Sequence, residues 1–583
     1  MSQQSQRSMH TQIWQASLQR LRAEQGSSLI LVMFVILLLT ILGLSVLSAA
    51  VGGAQRTETR ENDVQSLHLA EKTLDEGVAY ITANLNGLVD RSADMSKDQL
   101  EDSIQVFLDT LNDKKSGLMT TTTLEGGSSR IMDAEWEIPD PAKPNQYQIT
   151  LTSQADLNGV QRNLKQVIYV DTFPDFLNYT LGSEGDLTIN GSPEINGNIY
   201  AGGQLIFDKQ VKYMYGGVPN TYTSQSYAVL NGEAHVQSLN NVVYYYTDDR
   251  KPLTAGQAEG VTGTIPQNQV KIRSQRKFVQ VNVKESFIDK VVEAMEDSNA
   301  RPDRQLIRAA LDNGGLAAYL KNKDFKELTE SNLIRPVLTD NTEAGKAKYE
   351  VDKTNYLGLL DSLGSLRESV IYDGNLTLND QDVSKIIYES KEDSSGKHWF
   401  IVDGDLNIES FNSNIPAKIK ANMLVTGKVT IRGVAEFDST VYVLEEDSDS
   451  SNYSTTVEDA DITGLGGRQL VLLSQGPILF NRLTAFKGSV TPIAAFFYTD
   501  SSAELYGVGS IFSLRGGFFA KENLTIYAVR GEALAGTGQI NVTENPNLVR
   551  FKAEYDNTVF SAQNAGLPRV KAINIRVGDL ELE

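Results

Sequence analysis

The sequence predicts a mixed fold, in which a long N-terminal α-helix and a small α+β head precede a mainly-β region with a helical insertion. Three features predict it: an uncharged apolar run near the N-terminus, alternating strand-like segments from Ala134 onward, and a short phrase that recurs later in the chain. A chain of 583 residues is several times the usual domain size, so several structural units are expected.

The composition excludes several classes of function. The chain has 53 basic and 74 acidic residues and a net charge of -21, which disfavours nucleic acid and anionic lipid as partners of the large domain. The sequence contains no cysteine, so disulfides, thiolate metal sites and cysteine nucleophiles are all excluded.

The N-terminal apolar run is long enough to cross a membrane. It extends from Leu29 to Ala50, and about 22 helical residues span roughly 33 Å. Arg7, Arg20 and Arg22 precede it, so the positive-inside rule places a leader, residues 1–26, in the cytoplasm and the rest of the chain outside. We therefore expect a single-pass membrane protein with an extracellular C-terminal region.

An amphipathic helix is predicted directly after the apolar run. Its apolar positions recur every three or four residues, at Val64, Leu67, Ala70, Leu74, Val78, Ile81 and Leu85. No proline occurs between Ser27 and Leu85, so one helix over residues 27–85 is expected, with a kink most favoured at Gly52 and Gly53.

This segment resembles the N-terminus of type IV pilin-like proteins, specifically the PilX-type minor pilins. The resemblance covers about residues 15 to 85. It consists of a basic leader that ends in Gly26, the uncharged helix that follows, and the stretch LHLAEKTLDEG. The family's A-E-x-x-L-x-x-G pattern is matched by Ala70, Glu71, Leu74 and Gly77.

The resemblance implies processing and assembly. A prepilin peptidase would cut between Gly26 and Ser27, and the helix would then pack among other pilin-like subunits. The membrane and packing surface would include these apolar residues: Leu29, Leu31, Phe34, Leu38 and Leu42.

Two positions depart from the family pattern. Pilins of the main type have Phe or Met first after the cut and Glu fifth, whereas this chain has Ser27 and Leu31. In the family, that Glu is thought to pair with the N-terminal amine of a neighbouring subunit and to set the axial register. A subunit with leucine there is ill suited to a repeating shaft, which favours the filament tip or an initiation complex.

The head is expected at residues 86–172. A helix is predicted over Lys97 to Leu111, and the segments AEWEI, YQITLTSQADL and KQVIYVD alternate apolar and polar residues as in an antiparallel sheet.

Beyond the head, the recurrent phrase indicates a solenoid. It reads EGDLTI from Glu184, DGNLTL from Asp373, DGDLNI from Asp403 and KENLTI from Lys521. Short strands that turn at Gly, Asn or Asp favour a parallel β-helix, with a β-sandwich as the alternative. We expect two β-rich parts, residues 173–283 and 346–583, separated by a helical insertion at residues 284–345 that covers an end of the solenoid.

Catalytic motifs do not occur in the sequence. The ectodomain histidines, His235 and His398, lack metal-ligand or triad spacing and are expected at the surface, and no phosphate-binding loop is present. We expect a non-enzymatic protein without a cofactor. The acidic stretch from Glu445 to Asp461 is the one calcium candidate, and its potential ligands include Asp447, Asp449, Asp459 and Asp461. It lacks the spacing of an EF-hand, and a solvated polar loop is the favoured interpretation.

Three classes of function follow. The leading expectation is a minor pilin-like subunit at the surface of the cell or in a surface filament, whose partners are other pilin-like subunits, the pilus assembly machinery and the prepilin peptidase. Its β-rich domain would be displayed outside for adhesion. The alternatives are a static surface-anchored binding protein and a carbohydrate-active β-helix enzyme.

Processing gives the first testable prediction. The mature protein should begin at Ser27, and Gly26→Leu should block trimming by removing the small residue that the peptidase accepts. Intact mass of the protein recovered from cells with an active peptidase is the measurement. Wild-type protein that still carries residues 1–26 would contradict the prediction.

Overall fold

A computed structural model describes most of the chain and divides it into two compact units. The described residues are 6–89, 97–113, 120–122, 127–139, 146–171, 174–245, 252–254, 256–257, 263–273, 281–297, 302–321, 323, 325–329, 335–363, 369–379, 398–412, 414, 416–446, 452–481, 486, 491–509, 511–559, 566–568 and 574–582. The first unit, here called the head, contains Met1–Glu137, Gln148–Tyr169 and Ile575–Glu583. The second contains Ile138–Tyr147 and Val170–Asn574.

The described part of the chain contains six α-helices. They are α1, Gln6–Val89; α2, Lys97–Asn112; α3, Val283–Asp297; α4, Arg304–Asp312; α5, Leu316–Leu320; and α6, Glu343–Leu363.

Strands occur in both units, and they are the main regular element of the second unit. Before the second unit come β1, Thr120–Thr122; β2, Ser128–Glu137; β3, Gln146–Leu157; and β4, Val160–Asp171. Next are β5, Leu181–Ser183; β6, Leu187–Gly191; β7, Glu194–Asn196; β8, Ile199–Ala201; β9, Leu205–Asp208; β10, Gln210–Tyr215; β11, Val218–Thr223; β12, Val229–Asn231; β13, Ala234–Val236; β14, Val242–Tyr245; β15, Pro252–Thr254; and β16, Val270–Ile272.

The remaining strands come after α5 in the chain. They are β17, Lys326–Thr329; β18, Val370–Asp373; β19, Leu376–Asn379; β20, Phe400–Asp403; β21, Leu406–Ser410; β22, Ala417–Ile419; β23, Met423–Val425; β24, Val429–Phe437; β25, Ser439–Val443; β26, Thr455–Gly464; β27, Leu470–Ser474; β28, Ile478–Asn481; β29, Thr491–Thr499; β30, Ala503–Gly507; β31, Phe512–Ala520; β32, Leu524–Ala528; β33, Glu532–Ala535; β34, Ile540–Thr543; β35, Phe551–Glu554; and β36, Asn574–Leu582.

The head contains a five-stranded sheet in the order β1-β2-β3-β4-β36. The pair β2–β3 is antiparallel. Asn158 and Gly159 connect β3 to β4 with φ of 52° and 81°, the backbone that a two-residue hairpin turn requires. The sheet therefore begins as the antiparallel arrangement that the sequence predicts.

The fifth strand of this sheet comes from the far end of the second unit. A Cβ at Gly578 would lie 3.7 Å from Cβ of Val167, and the Arg576 guanidinium lies 5.6 Å from the ring centre of Tyr169. As the residue number rises along β36, the number of the residue that it faces on β4 falls, as in an antiparallel pair. The second unit is inserted between two neighbouring strands of the head, although β36 lies inside the range predicted as β-rich solenoid.

The second unit is a parallel β-helix, which confirms the favoured prediction. One long sheet runs in the order β16-β13-β8-β5-β31-β29-β27-β25-β23-β20-β18-β17, and the other in the order β15-β14-β9-β6-β32-β30-β28-β26-β24-β21-β19. Along these two paths the pairs are parallel, as in β24–β26 and β29–β31, except for the terminal antiparallel pair β14–β15.

The four recurrent phrases occupy equivalent places in the second of these sheets. Leu376 lies opposite Leu406, and Leu524 lies opposite Leu187. All four leucines are at most 4% exposed and belong to one continuous core between the sheets. The phrase therefore marks the start of a strand whose first side chain points inward.

The residue before each leucine explains why the phrase recurs. Side-chain oxygens of Asn375, Asp405, Asn523 and Asp186 accept hydrogen bonds from the next rung, from the backbone N–H groups of Asp405, Lys428, Asp186 and Gln204 respectively, at 2.7 to 3.0 Å. These bonds satisfy backbone donors at the corner where the sheet ladder is interrupted. Glycine precedes this residue where rungs approach closely: a Cβ at Gly185 would lie 1.7 Å from the carbonyl oxygen of Glu522.

The chain does not wind through the β-helix from one end to the other. It enters in the middle, at β5 and β6, and proceeds to one end at β15 and β16. It then continues from the opposite end, at β17 to β19, and returns to the middle, where β31 and β32 stack on β5 and β6. The first and last complete rungs are thus direct neighbours.

The helices α3 to α5 lie along the flank of the first long sheet. Buried residues of α3 share a core with outward-facing side chains of that sheet, such as Tyr442 and Tyr498. Asp500 accepts a hydrogen bond from the Val283 N–H at 2.9 Å, and Asp403 accepts one from the Ala317 N–H at 2.7 Å. Burial raises the pKa of Asp500.

The expectation that this insertion covers an end of the solenoid is therefore wrong for α3, which contacts β25 in the middle of the sheet. The aromatic rings on the outer face of these strands are apolar, and the amphipathic α3 shields them from water. The helix α6 lies partly within the range predicted as the second β-rich part, and its Tyr356 and Leu357 pack against the core between the sheets.

The interior position of the phrase leucines gives a prediction of stability. Leu376→Asp should lower the free energy of unfolding of the β-helix by about 3–5 kcal/mol, because it buries an unpaired charge. The matched control is Thr377→Asp, since Thr377 is exposed on the next position of the same strand. Chemical denaturation followed by circular dichroism measures both; equal midpoints for Leu376→Asp and wild type would contradict the inward orientation.

Candidate membrane and assembly helix

The lower half of α1 carries a long apolar surface. The predicted packing residues Leu29, Leu31, Phe34, Leu38 and Leu42 are 66%, 65%, 62%, 55% and 57% exposed. Within the described residues, one helical stretch, Ser28–Gly87, is long and apolar enough to cross a membrane. The hydroxyls of Thr40 and Ser45 donate to the carbonyl oxygens of Ile36 and Ile41, at 2.6 and 2.8 Å, so the two groups are satisfied without water. Hydrocarbon or neighbouring helices are the environments that suit this surface.

One face of this half is lined by small residues. Ser45, Ser48, Ala49, Gly52 and Gly53 share a shallow groove with Ile41, Leu44 and Arg56. A Cβ added at Gly52 or Gly53 would meet no atom within 4 Å. Such a face lets a second helix approach closely. The helix continues through both glycines, where the sequence favours a kink.

The upper half of α1 packs on the head sheet. Ala70, Leu74, Ile81 and Leu85 are at most 1% exposed, which confirms the predicted apolar stripe at these positions. Leu67 and Val78 are half-buried, and Val64 is 53% exposed. Burial on the sheet begins half a turn later, at Ser66, so the stripe predicted from the sequence starts too early.

Two serines of the sheet bind the helix backbone. Ser129 donates to the carbonyl oxygen of Leu69 at 3.1 Å, and Ser153 donates to that of Ala70 at 3.0 Å. Thr73 also shares a hydrogen bond with Ser129. These contacts are buried, and the alternation of the strands places both serines on the face that carries Ile149 and Leu151. These two serines were not predicted from the sequence, because serines on strands are usually surface residues.

Three of the four motif residues hold the helix against this sheet. Ala70 and Leu74 are fully buried, and a Cβ at Gly77 would lie 3.2 Å from Cδ1 of Leu151 and 3.5 Å from Cδ1 of Ile131. Gly77 thus lets the helix touch the sheet directly. Glu71 has a different environment: its carboxylate is partly exposed and lies 3.2 Å from Nδ1 of His68.

Polar contacts fasten the β3–β4 turn to the helix just below this region. Arg162 forms a salt bridge with Asp63, and Asn158 donates to the side chain of Asn62 at 3.2 Å. The hydrogen bond and the charge of Asp63 raise the pKa of Arg162. Above residue 62, α1 is therefore a structural part of the head, and below it the helix has no partner among the described residues.

The predicted processing residues lie inside α1. The backbone at Gly26 and Ser27 is helical, and the side chain of Ser27 lies outside the described part of the structure. Cleavage between them stays a prediction.

The calcium candidates are separated by the structure. Asp447 and Asp449 lie outside the described residues, whereas Asp459 and Asp461 lie on β26. Asp459 is the extra residue of a β-bulge, with φ of 46°. Among the described side chains, no three His, Asp or Glu residues are grouped to hold a metal ion. Calcium binding stays a prediction.

His235 is buried, which corrects the expectation of a surface position. It is 6% exposed, its Nδ1 lies 3.1 Å from the Tyr179 hydroxyl, and its Nε2 lies 3.0 Å from Oε2 of Glu233. The hydrogen bond to His235 lowers the pKa of Glu233. Tyr179 lies 56 residues away in sequence, so only the stacking of rungs brings the pair together. His398 is half-buried.

No protein family and no curated protein matches this chain. Among solved structures, the competence-associated pilin ComZ from Thermus thermophilus is similar over 90% of this chain and 97% of its own, with 12% identity and a TM-score of 0.27. A TM-score this low supports no transfer of fold or function.

The tight contact at Gly77 gives a testable prediction. Gly77→Leu should lower the free energy of unfolding of the head by about 1–3 kcal/mol, because the new side chain overlaps Leu151 and Ile131. Ala79→Leu, at an exposed position of the same helical turn, should be neutral. Hydrogen exchange of the amides in β2 and β3 measures the effect; equal protection in both variants would show that Gly77 is not a close-packing site.

Proposed function

We propose that this chain is a membrane-inserted, pilin-like minor subunit of a type IV pilus or a related filament. The observation that carries the proposal is the division of α1. Its lower half, from Leu29 to Val51, exposes apolar side chains, whereas its upper half is packed into a small antiparallel sheet. A helix of this design can lie first in a membrane and later among the helices of other subunits.

The small-residue face and the motif contacts both support this proposal over a static anchor. A single membrane anchor needs apolar length alone, and it requires neither a close-approach face at Ser45, Ala49 and Gly53 nor a head clamped onto the same helix. The proposed partners are other pilin-like subunits, the assembly machinery and a prepilin peptidase. The proposed orientation has the leader in the cytoplasm and the β-helix outside.

We place the subunit at the filament tip or in an initiation complex. Leu31 stands where the resemblance expects the glutamate that sets axial register, so this subunit has no carboxylate there for a neighbour's amine. The inserted β-helix, Val170–Asn574, is also far larger than the head, and stacking it at each helical step would crowd the filament surface. At an end, one copy meets no such limit.

The β-helix would then be the displayed, ligand-binding part of the subunit. We propose a role in adhesion and no enzymatic activity or cofactor. The net charge of -21 favours a ligand other than nucleic acid or anionic lipid. Hydrolysis or elimination activity of the purified protein on neutral or anionic polysaccharides would instead favour the carbohydrate-active alternative.

Copy number is the test of the proposed position. Quantitative mass spectrometry of sheared filaments should find this subunit at a few copies per filament, and immunogold directed at the β-helix should label filament ends. The Gly26→Leu variant is the control, since it should remain in the membrane fraction and disappear from filaments. Abundance close to that of the major subunit, or label along the length, would contradict a tip position.

A further inference from the structure

Two sheets in this protein are completed by strands that are distant in sequence. In the head, β36 pairs with β4, although the whole β-helix lies between them in the chain. In the β-helix, Phe518 of β31 lies opposite Leu181 of β5, and Leu524 of β32 lies opposite Leu187 of β6. Until the chain beyond residue 511 has joined, β4 is the edge strand of the head sheet, and β5 and β6 are edge strands in the β-helix.

The β-helix brings together the two segments that connect it to the head. The Tyr555 hydroxyl donates to the carbonyl oxygen of Leu177 at 2.9 Å, and the Tyr555 N–H donates to that of Asn196 at 2.9 Å. Phe176 and Leu177, shortly after β4, share a buried cluster with Val559, shortly before β36. All of these contacts lie within the second unit, so they form when the β-helix itself folds.

This proximity lowers the entropic cost of docking β36 on β4. While the β-helix is unfolded, docking β36 on β4 closes a loop of about 400 residues. Once the β-helix is folded, about 25 residues of chain separate the ends of β4 and β36 from the contact between Leu177 and Tyr555, and closure becomes roughly 60-fold more favourable, because closure probability falls as the 3/2 power of loop length.

We infer that folding of the β-helix gates completion of the head sheet. The pairing of β31 and β32 with β5 and β6 closes the β-helix, and the closed β-helix then presents β36 to β4. Under the proposed function, on which this last step rests, a subunit enters a filament with a complete head only after its display domain has folded. Docking of β36, the last strand of the head, therefore depends on whether the inserted β-helix is folded.

A cysteine pair gives a direct readout of β36 docking. The chain has no native cysteine, and a Cβ at Gly578 would lie 3.7 Å from Cβ of Val167, within the range of a disulfide. In the full-length chain with Val167→Cys and Gly578→Cys, brief oxidation should cross-link β4 to β36 in native conditions. Hydrogen exchange of the amides in β4 and β36 measures the same docking without any cysteine.

The experiment follows both readouts through a denaturant titration, together with unfolding of the β-helix by circular dichroism. Leu524→Asp, at the contact between the first and last rungs, should lower the β-helix midpoint and lower the docking midpoint with it. Where the β-helix is unfolded, docking should fall at least roughly tenfold. Thr525→Asp, on the outward side of the same strand, should leave both midpoints near wild type.

The reciprocal variant tests the direction of the coupling. Gly77→Leu should lower the docking midpoint, while the β-helix should still fold; since coupling between two equilibria is reciprocal, the stability of the β-helix should fall by no more than the roughly 60-fold factor by which it favours docking. Docking that persists at wild-type level after the β-helix has unfolded would overturn the inference. No filament is involved in this experiment, so that result would not contradict the proposed function. Conversely, absence of the subunit from filaments would not contradict the inference that the β-helix gates completion of the head.

Discussion

The pairing of β36 with β4 is the interaction on which the organisation of this protein depends. It makes the head a discontinuous unit, and it turns a domain of about 400 residues into an insertion between two adjacent strands. An insertion at such a site has to begin and end at nearly the same place. The unusual path of the β-helix satisfies this requirement, since its first and last complete rungs are neighbours and Tyr555 binds the backbone of Leu177.

The second constraint is the exposed hydrocarbon of α1. The head covers the helix from Ser66 upward with buried contacts, whereas the side chains from Leu29 to Val51 have no cover in the described structure. Apolar surface of this extent is stable in a bilayer or against other helices, and the proposed pilin-like subunit would meet the two environments in succession. Under the proposed function the same helix would serve as an anchor and as an assembly surface, and its upper half is the central element of the head.

Local patterns in the sequence predicted the elements, and long-range pairing determined what they could not predict. The apolar spacing of Ala70, Leu74 and Ile81 and the repeated leucines of the β-helix are local, so the helix, its buried face and the solenoid were all predictable. The stacking of Leu524 on Leu187 and the docking of β36 join residues more than 300 positions apart, and the period of a strand does not encode its neighbour. The burial of His235 was missed for the same reason, because its partner Tyr179 lies on another rung.

Cross-linking from the exposed half of α1 is the most direct test of the central claim that this helix packs among other subunits. A photo-reactive residue at Ser48, on the small-residue face, should form an adduct with another pilin-like subunit in sheared filaments, whereas one at the exposed Thr377 of the β-helix should form none. Adducts at Ser48 that are found with lipid alone, in membrane and filament fractions alike, would show that α1 is a permanent anchor and would contradict the account.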